Sequence, residues 1–295
     1  ARLAHQPGSR HRPFRLVALL PERGSGMPED ILTVEQRRLV EAIADALYQR
    51  GPGVAFTGAG ISTESGIPDY RGPNGLWSRE NPTRFRDFLN DPEVRRRYWD
   101  RRRERYPILA NAQPNAGHIA LARLQAAGYI DTIVTQNIDG LHQKAGSPPE
   151  RVVELHGTAH AIRCLSCEIL WPAERFDPGP PGTIPHCPVC NGIVKEATVS
   201  FGEPVPRPLL ERALALAEAT PVMLVVGTSL AVVPAAHVPR RAARAGAFVA
   251  IVNDEPTPLD REAAVVVRAR AGAALAYLAE LLVGAPAESA SERAS

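Results

Sequence analysis

Cysteine occurs four times in this 295-residue chain, always between positions 164 and 190, as the C-x-x-C pairs Cys164/Cys167 and Cys187/Cys190. Residues 168–186 separate the inner cysteines, a gap of 19 residues. That spacing suits two tight knuckles delivering four thiolates to one tetrahedral Zn²⁺. A four-thiolate site has no open position for water, so a zinc held there organises the chain and makes no bonds with substrate. A redox pair and an iron–sulfur cluster are the alternatives. The first lacks a resolving thiol elsewhere, and Pro188 and Gly192 suit a zinc knuckle. His186, beside Cys187, is a spare ligand candidate.

A second group of residues suits ligand binding. The turn Gly58-Ala59-Gly60-Ile61-Ser62-Thr63-Glu64-Ser65-Gly66 follows a short apolar run at 54–57. After a strand, such a turn presents backbone N–H groups to a phosphate. Thr63 stands where the G-x-G-x-x-G fingerprint has its third glycine, so by itself the stretch also reads as an ordinary strand-to-helix turn. Further polar clusters at 66–71, 136–142 and 155–157 lie at the ends of apolar runs or just beyond, where ligands of parallel sheets gather. No plausible Ser-His-Asp or Cys-His motif is visible.

These clusters need elements to position them. Continuous apolar runs at 54–57, 132–135, 152–155, 222–226, 248–252 and 264–267 read as buried strands, and helical patterns fall at 33–48, 116–127, 208–218, 235–245 and 271–282. Their alternation predicts a doubly wound α/β domain, a parallel sheet covered on both faces. Two stretches interrupt the rhythm, an Arg-, Pro- and aromatic-rich one at 65–112 and the cysteine-bearing one at 161–199. Together they are expected to form a smaller domain, leaving 33–64, 113–160 and 200–283 for the larger. Residues 1–32 read as a disordered N-terminal extension and 284–295 as a disordered tail. Arginines at 2, 10, 12, 15 and 23 faintly suggest a transit peptide, but Pro7, Pro13 and Pro21 would break its helix.

Composition narrows the class. The chain is 44% hydrophobic and 22% charged, and none of its apolar runs approaches the roughly 18 residues of a membrane span. A formal net charge of +2 gives no reason to expect nucleic acid as a direct partner. The arginines of residues 95–105 alternate with Asp100 and Glu104 and follow Glu93, as on a solvated helix face. Few, clustered cysteines fit a reducing, cytoplasmic setting.

Taken together, GAGIS-x-x-SGIPDYR, TQNIDGLH, ELHG, the cysteine pairs, FGE at 201–203, GTSLAVVPAA at 227–236 and VN at 252–253 resemble the sirtuin (Sir2-like) family. They do so in family order over roughly residues 35–283. The resemblance implies a Rossmann-like fold, a structural zinc, NAD as co-substrate and acyl-lysine proteins or peptides as partners. It further implies removal of an acyl group, acetyl first, from lysine. The acyl-lysine carbonyl oxygen displaces nicotinamide from the NAD ribose, and lysine is finally released with O-acyl-ADP-ribose.

Residue by residue, the resemblance makes His156 the general base, with Asn137 and Asp139 beside it as catalytic residues. Gly58, Ala59, Gly60, Ser62 and Arg71 match the phosphate-binding turn, and Asp69 and Tyr70 the nicotinamide-ribose end, where Tyr70 replaces the family's usual Phe. Gln136, Asn137, Ile138 and Asp139 match the nicotinamide pocket. Gly227, Thr228 and Ser229 match the second phosphate-facing loop, Asn253 an adenosine ribose contact and Ala271 an adenine neighbour. Phe201, Gly202 and Glu203, with Val232 and Val233, match the edges between which a substrate peptide lies as an added strand. His118 and His142 match family positions read as structural.

Acyl preference is less determined. Glu196 and Ser200 depart from the family pattern, in which proline follows the basic residue and an aromatic precedes FGE. Tyr98 and Arg101 form a Y-x-x-R pair of the kind that recognises succinyl-lysine in one branch of the family, by a bidentate guanidinium contact. Desuccinylation and mono-ADP-ribosyl transfer from the same NAD site are the alternative activities. A non-catalytic NAD-sensing module would not need the base.

Overall fold

A computed structural model describes residues 32–69 and 82–285. Helix α1 (Val34–Arg50) begins with a capping box, Thr33 accepting from Gln36 N while the Gln36 side chain returns to the Thr33 N–H. Gly51, at φ 100°, ends it, and the chain passes into strand β1 (Gly53–Thr57), every residue of which is buried. Strands β2 (Ile130–Thr135), β3 (Val152–Glu154), β7 (Val222–Val226), β8 (Phe248–Val252) and β9 (Val265–Val267) join it in a parallel sheet of order β3-β2-β1-β7-β8-β9.

Side chains alternate between the faces of this sheet, and each face has its own core. Ala55, Leu224, Val226, Ala250 and Val252 pack with α1, α4 (Ala116–Ala126) and α8 (Ala271–Val283). Val54, Phe56, Met223, Val225, Val249 and Ile251 pack with α6 (Arg207–Ala219) and α7 (His237–Arg244). The sheet is therefore doubly wound. The direction of winding reverses between β1 and β7, and the loops leaving those two strands diverge to open a crevice.

A second sheet is antiparallel, in the order β5-β4-β6: β4 (Gly157–Cys164), β5 (Leu170–Pro172) and β6 (Val194–Thr198). Its small core combines Ile162, Cys164, Cys187 and Val194 with Trp99 of the long helix α3 (Pro92–Asn111). Short helices α2 (Phe85–Asn90) and α5 (Leu141–Lys144) precede α3 and follow β2 respectively. The change of sheet comes at Gly157, within the stretch that sequence assigns to the larger domain. At φ 71°, with Ala197 O packed against its α-carbon, Gly157 lets the chain turn from β3 into β4. No helix among the described residues is long and apolar enough to cross a membrane. Of the expected disordered segments, only Leu32, Gly284 and Ala285 fall within the described residues.

Candidate active site at the switch point of the parallel sheet

Two glycine turns meet at the carboxyl ends of β1 and β7. Gly60 N donates to Gly227 O at 2.8 Å and Gly58 N to Val226 O at 3.1 Å. A side-chain carbon on Gly60 would lie 2.8 Å from the Gly227 α-carbon, and one on Gly227, already at φ 59°, would lie 2.4 Å from Ile61 N. Only glycine permits this approach. With its N–H held by Gly227 O, Gly60 gives the floor its shape.

Beneath the turns lies a buried polar web. Ser62 Oγ donates to Asp139 Oδ2 at 2.7 Å, and Asp139 Oδ1 accepts from Leu141 N. Asn137 Nδ2 donates to Ser62 Oγ and to Gly58 O, each at 3.1 Å, and Asn137 N to Thr135 Oγ1. Thr57 donates to that same Thr135 oxygen and is met by His142 Nε2 at 2.9 Å. His118 faces Ser62 Oγ through Nε2 and receives Asn115 N at Nδ1. Burial, the dominant effect, lowers the pKa of His118 to about 4 and of His142 to about 3. Both are neutral parts of the scaffold.

His156 follows β3 at the crevice mouth. Its Nδ1–H donates to Gln136 O at 2.9 Å, which leaves the lone pair on Nε2. Burial lowers its pKa below the ordinary histidine value while the Gln136 contact opposes the shift, so the imidazole is neutral at pH 7. Its own carbonyl accepts from Val199 N, tying the end of β6 to the ring's backbone. His156 lines a cleft of about 640 Å³ together with Gly58, Gly60, Asn137, Gly227, Phe201 and Asn253.

The Sir2 family profile matches residues 58–234. The chain belongs to the Sir2 family. It is 43% identical over 242 residues to the NAD-dependent protein deacetylase 1 of Bradyrhizobium diazoefficiens, covering 81% of this chain and 94% of that one. A mutant Sir2 homologue in complex with ADP-ribose superposes with a TM-score of 0.77 at 35% identity, covering 82% of this chain and 96% of that one. A Sir2 protein bound to deacetylated p53 peptide and 3'-O-acetyl-ADP-ribose superposes with a TM-score of 0.73 at 33% identity, covering 84% and 99%.

Most residues singled out from the Sir2 motifs line the same cleft: Gly58, Ala59, Gly60, Asp69, Gln136, Asn137, Ile138, His156, Phe201, Gly202, Glu203, Gly227, Thr228, Ser229, Val232, Val233, Asn253 and Ala271. Ser62 and Asp139 stand behind the lining, in the buried web. Tyr70 and Arg71 lie outside the described residues. Glu203 reaches the cleft, but its carboxylate is held by Lys195 at 2.9 Å, Arg163 at 2.7 Å and Ser200 N.

The Y-x-x-R pair is not brought together in the cleft. Tyr98 OH donates to Glu196 Oε2 at 3.0 Å, and Arg101 Nη2 donates to Thr83 in a separate depression shared with Arg84 and Arg97. Residues three and four positions on both neighbour Tyr98 along the helix, and the contacts select Arg102, whose Nε lies 3.2 Å from Glu196 Oε1. Residues missed from sequence include Thr63, Thr198, Val199, Asp254 and Glu255. Period-two spacing along β6 offered a signal for Thr198 alone, two residues from Glu196 on the same strand, whereas Val199 and Ser200 line the cleft from beyond the strand.

The four Sγ atoms of the Sir2 cysteine pairs lie within 4.8 Å of one another, with Cys164–Cys190 at 3.5 Å and Cys167–Cys187 at 3.7 Å. Tetrahedral zinc with Zn–S bonds of about 2.3 Å requires S–S edges near 3.8 Å, so the donor set fits that ion. Backbone N–H groups of Ser166 and Cys167 point at Cys164 Sγ, and those of Val189 and Cys190 at Cys187 Sγ, as thiolates in knuckles require.

Proposed function

We propose that this chain removes acyl groups, acetyl foremost, from lysine side chains of proteins or peptides at the expense of NAD, leaving nicotinamide and O-acyl-ADP-ribose. The observation that carries this reading is His156: a neutral imidazole, its Nδ1–H fixed on Gln136 O, with its basic nitrogen in the cleft that the glycine turns and Asn137 share.

The glycine floor, too tight for any side chain, and the volume of the cleft fit a dinucleotide. Ala59, Gly227, Thr228 and Ser229 would face its phosphates, Asn253 and Ala271 its adenosine end, and Asp69, Gln136 and Ile138 its nicotinamide end. NAD supplies the sugar carbon that accepts the acyl oxygen and the nicotinamide that leaves. Asn137 uses both amide hydrogens on Gly58 and Ser62, so the only amide atom it has for a ligand is Oδ1, as an acceptor. Asp139 acts as a positioning residue, because both its oxygens are engaged by the protein. His156 Nε2 takes a proton from a hydroxyl in the cleft, as general base. The exposed edges at Phe201 and Val233 accommodate the substrate backbone.

We assign residues 33–64, 113–160 and 200–283 to the nucleotide-binding domain, apart from the start of β4, and 65–112 and 161–199 to the smaller one. A four-thiolate zinc site suits a reducing cytoplasm.

The test is product analysis with an acetyl-lysine peptide. Equal amounts of nicotinamide, free-lysine peptide and O-acetyl-ADP-ribose are expected. His156→Ala should keep NAD binding and lose turnover by roughly 10² to 10⁴. ADP-ribosylated protein without O-acetyl-ADP-ribose would replace this reading with mono-ADP-ribosyl transfer.

A further inference from the structure

Beneath the exposed edge at Phe201 lies a fully buried ammonium. Lys195 stands on β6 between Val194 and Glu196, and its side chain is 0% exposed. Its Nζ donates to Glu203 Oε2 at 2.9 Å and to Thr198 O, and lies 5.6 Å from the centre of the Phe85 ring. An ammonium taken out of water is tolerated only where it is partnered. Here the partners come from the end of its own strand, from the turn beyond that strand and from the start of α2.

That turn is the edge assigned to the substrate backbone. Glu203 N donates to Ser200 O at 2.9 Å, and Gly202, at φ 80°, supplies the left-handed step between them. The Glu203 side chain closes the turn a second time, because Oε2 accepts from Ser200 N at 3.0 Å as well as from Lys195. Phe201 O accepts from Phe85 N, and Val199 N donates to His156 O, each at 2.8 Å. Every residue of the turn 200–203 lines the cleft, whereas Lys195 stands behind it. The two cations on Glu203 are not equivalent. Arg163, 2.7 Å from Oε1, is 36% exposed, so water can stand in for it, but no water reaches Lys195.

We propose that Lys195 is a positioning residue for the substrate peptide: by holding the Glu203 carboxylate against the Thr198 carbonyl, it keeps the turn 200–203 in the shape on which the peptide backbone is laid. The inference rests on the deacylase reading above, which puts the peptide at this edge. Without the ammonium, Glu203 keeps Arg163 on Oε1 and Ser200 N on Oε2 but loses its one fully buried cation. A carboxylate only 8% exposed then gains by turning toward water, and it draws the turn with it. The peptide must reorder that edge as it binds, and its affinity falls. NAD affinity should not follow, because the glycine turns and Asn253 belong to loops of the parallel sheet, outside this network.

The experiment compares wild type with Lys195→Met, in which a side chain of similar length fills the space without charge. It measures NAD binding, binding and steady-state turnover of one acetyl-lysine peptide, and amide exchange over 199–203. Peptide Kd and peptide KM should both rise at least about tenfold, the scale of a lost charge-assisted hydrogen bond. NAD Kd, and kcat at saturating peptide, should stay within about threefold of wild type. The Ser200 and Glu203 amides should lose protection. Lys195→Arg, which keeps the charge and the donors, should recover most of the peptide affinity. In a Glu203→Ala background, Lys195→Met should add less than about threefold, since the group it holds is gone. Lys195→Gln, which keeps one donor, gives the same comparison if circular dichroism shows the methionine variant unfolded.

Unchanged peptide affinity in the folded methionine or glutamine variant would overturn the proposal. So would parallel losses of peptide and NAD binding, the mark of an ion pair that serves the fold alone, or additive effects of Lys195→Met and Glu203→Ala. A wild type that binds the peptide without turning it over would break the deacylase reading, and the binding and exchange measurements would still decide this one. A wild type that does not bind the peptide would overturn both.

Discussion

The six-stranded sheet draws its two cores from every strand and from five helices, whereas the three-stranded sheet rests on six buried residues, of which Cys164 and Cys187 are two. Around that smaller core stand buried ions, Lys195 and Arg102 against Glu203 and Glu196, where the larger sheet keeps only neutral polar groups beneath its glycine turns apart from Asp139. Apolar burial at about 25 cal/mol per Å² can hold the first region. A small core cannot, and needs a staple. The comparison teaches that the cleft joins a self-supporting wall, on which most of the proposed NAD contacts fall, to one braced by ion pairs and by four cysteines placed to hold a metal.

The largest effect that tests this contrast is loss of the metal. Cys187→Ala should abolish zinc binding, which in small modules is linked to folding by an apparent ~10 kcal/mol or more. Metal analysis and amide exchange resolved by region provide the check. Protection should collapse in β4 and β6 and persist in β1, β7 and β8. Uniform loss across both sheets would mean that the larger one is not self-supporting.

Acid should act on the larger sheet by a smaller amount. The folded-state pKa values of His118 and His142, about 4 and about 3, lie below the unfolded value of about 6.5. Below pH 6.5 the unfolded chain therefore binds more protons. Stability should be full above that pH and decline as pH falls toward 4, by roughly 1.4 kcal/mol per pH unit for each histidine at most. Urea unfolding followed by amide exchange in β1 and β2 measures this. A profile flat from pH 7 to 4.5 would show that these histidines are not held neutral.

Much of this was legible in the sequence. Buried parallel strands are continuous apolar runs, so β7 and β8 fall on the runs at 222–226 and 248–252. The cysteine spacing alone specified the four-sulfur cluster. What could not be read was direction. Tyr98 and Arg101 form a motif along the chain, yet tertiary contacts give Arg102 the Glu196 carboxylate that Tyr98 also holds and give Arg101 the Thr83 hydroxyl. Asp139 and Ser62 lie in the matched motifs, but only the fold shows them bonded to one another behind the lining. Glu196 stood out as a departure from the family pattern. Its partner lies 94 positions away (196 minus 102), on an element that no local pattern links to β6.

The central claim is that the cleft presents a neutral base whose hydrogen is fixed on Nδ1. Nitrogen-15 NMR of the His156 ring, assigned against His156→Ala, tests it most directly. A neutral ring at pH 7, protonated on Nδ1 and titrating below the ordinary histidine value, is the expected result. An imidazolium at pH 7, or a neutral ring with its proton on Nε2, would contradict the account.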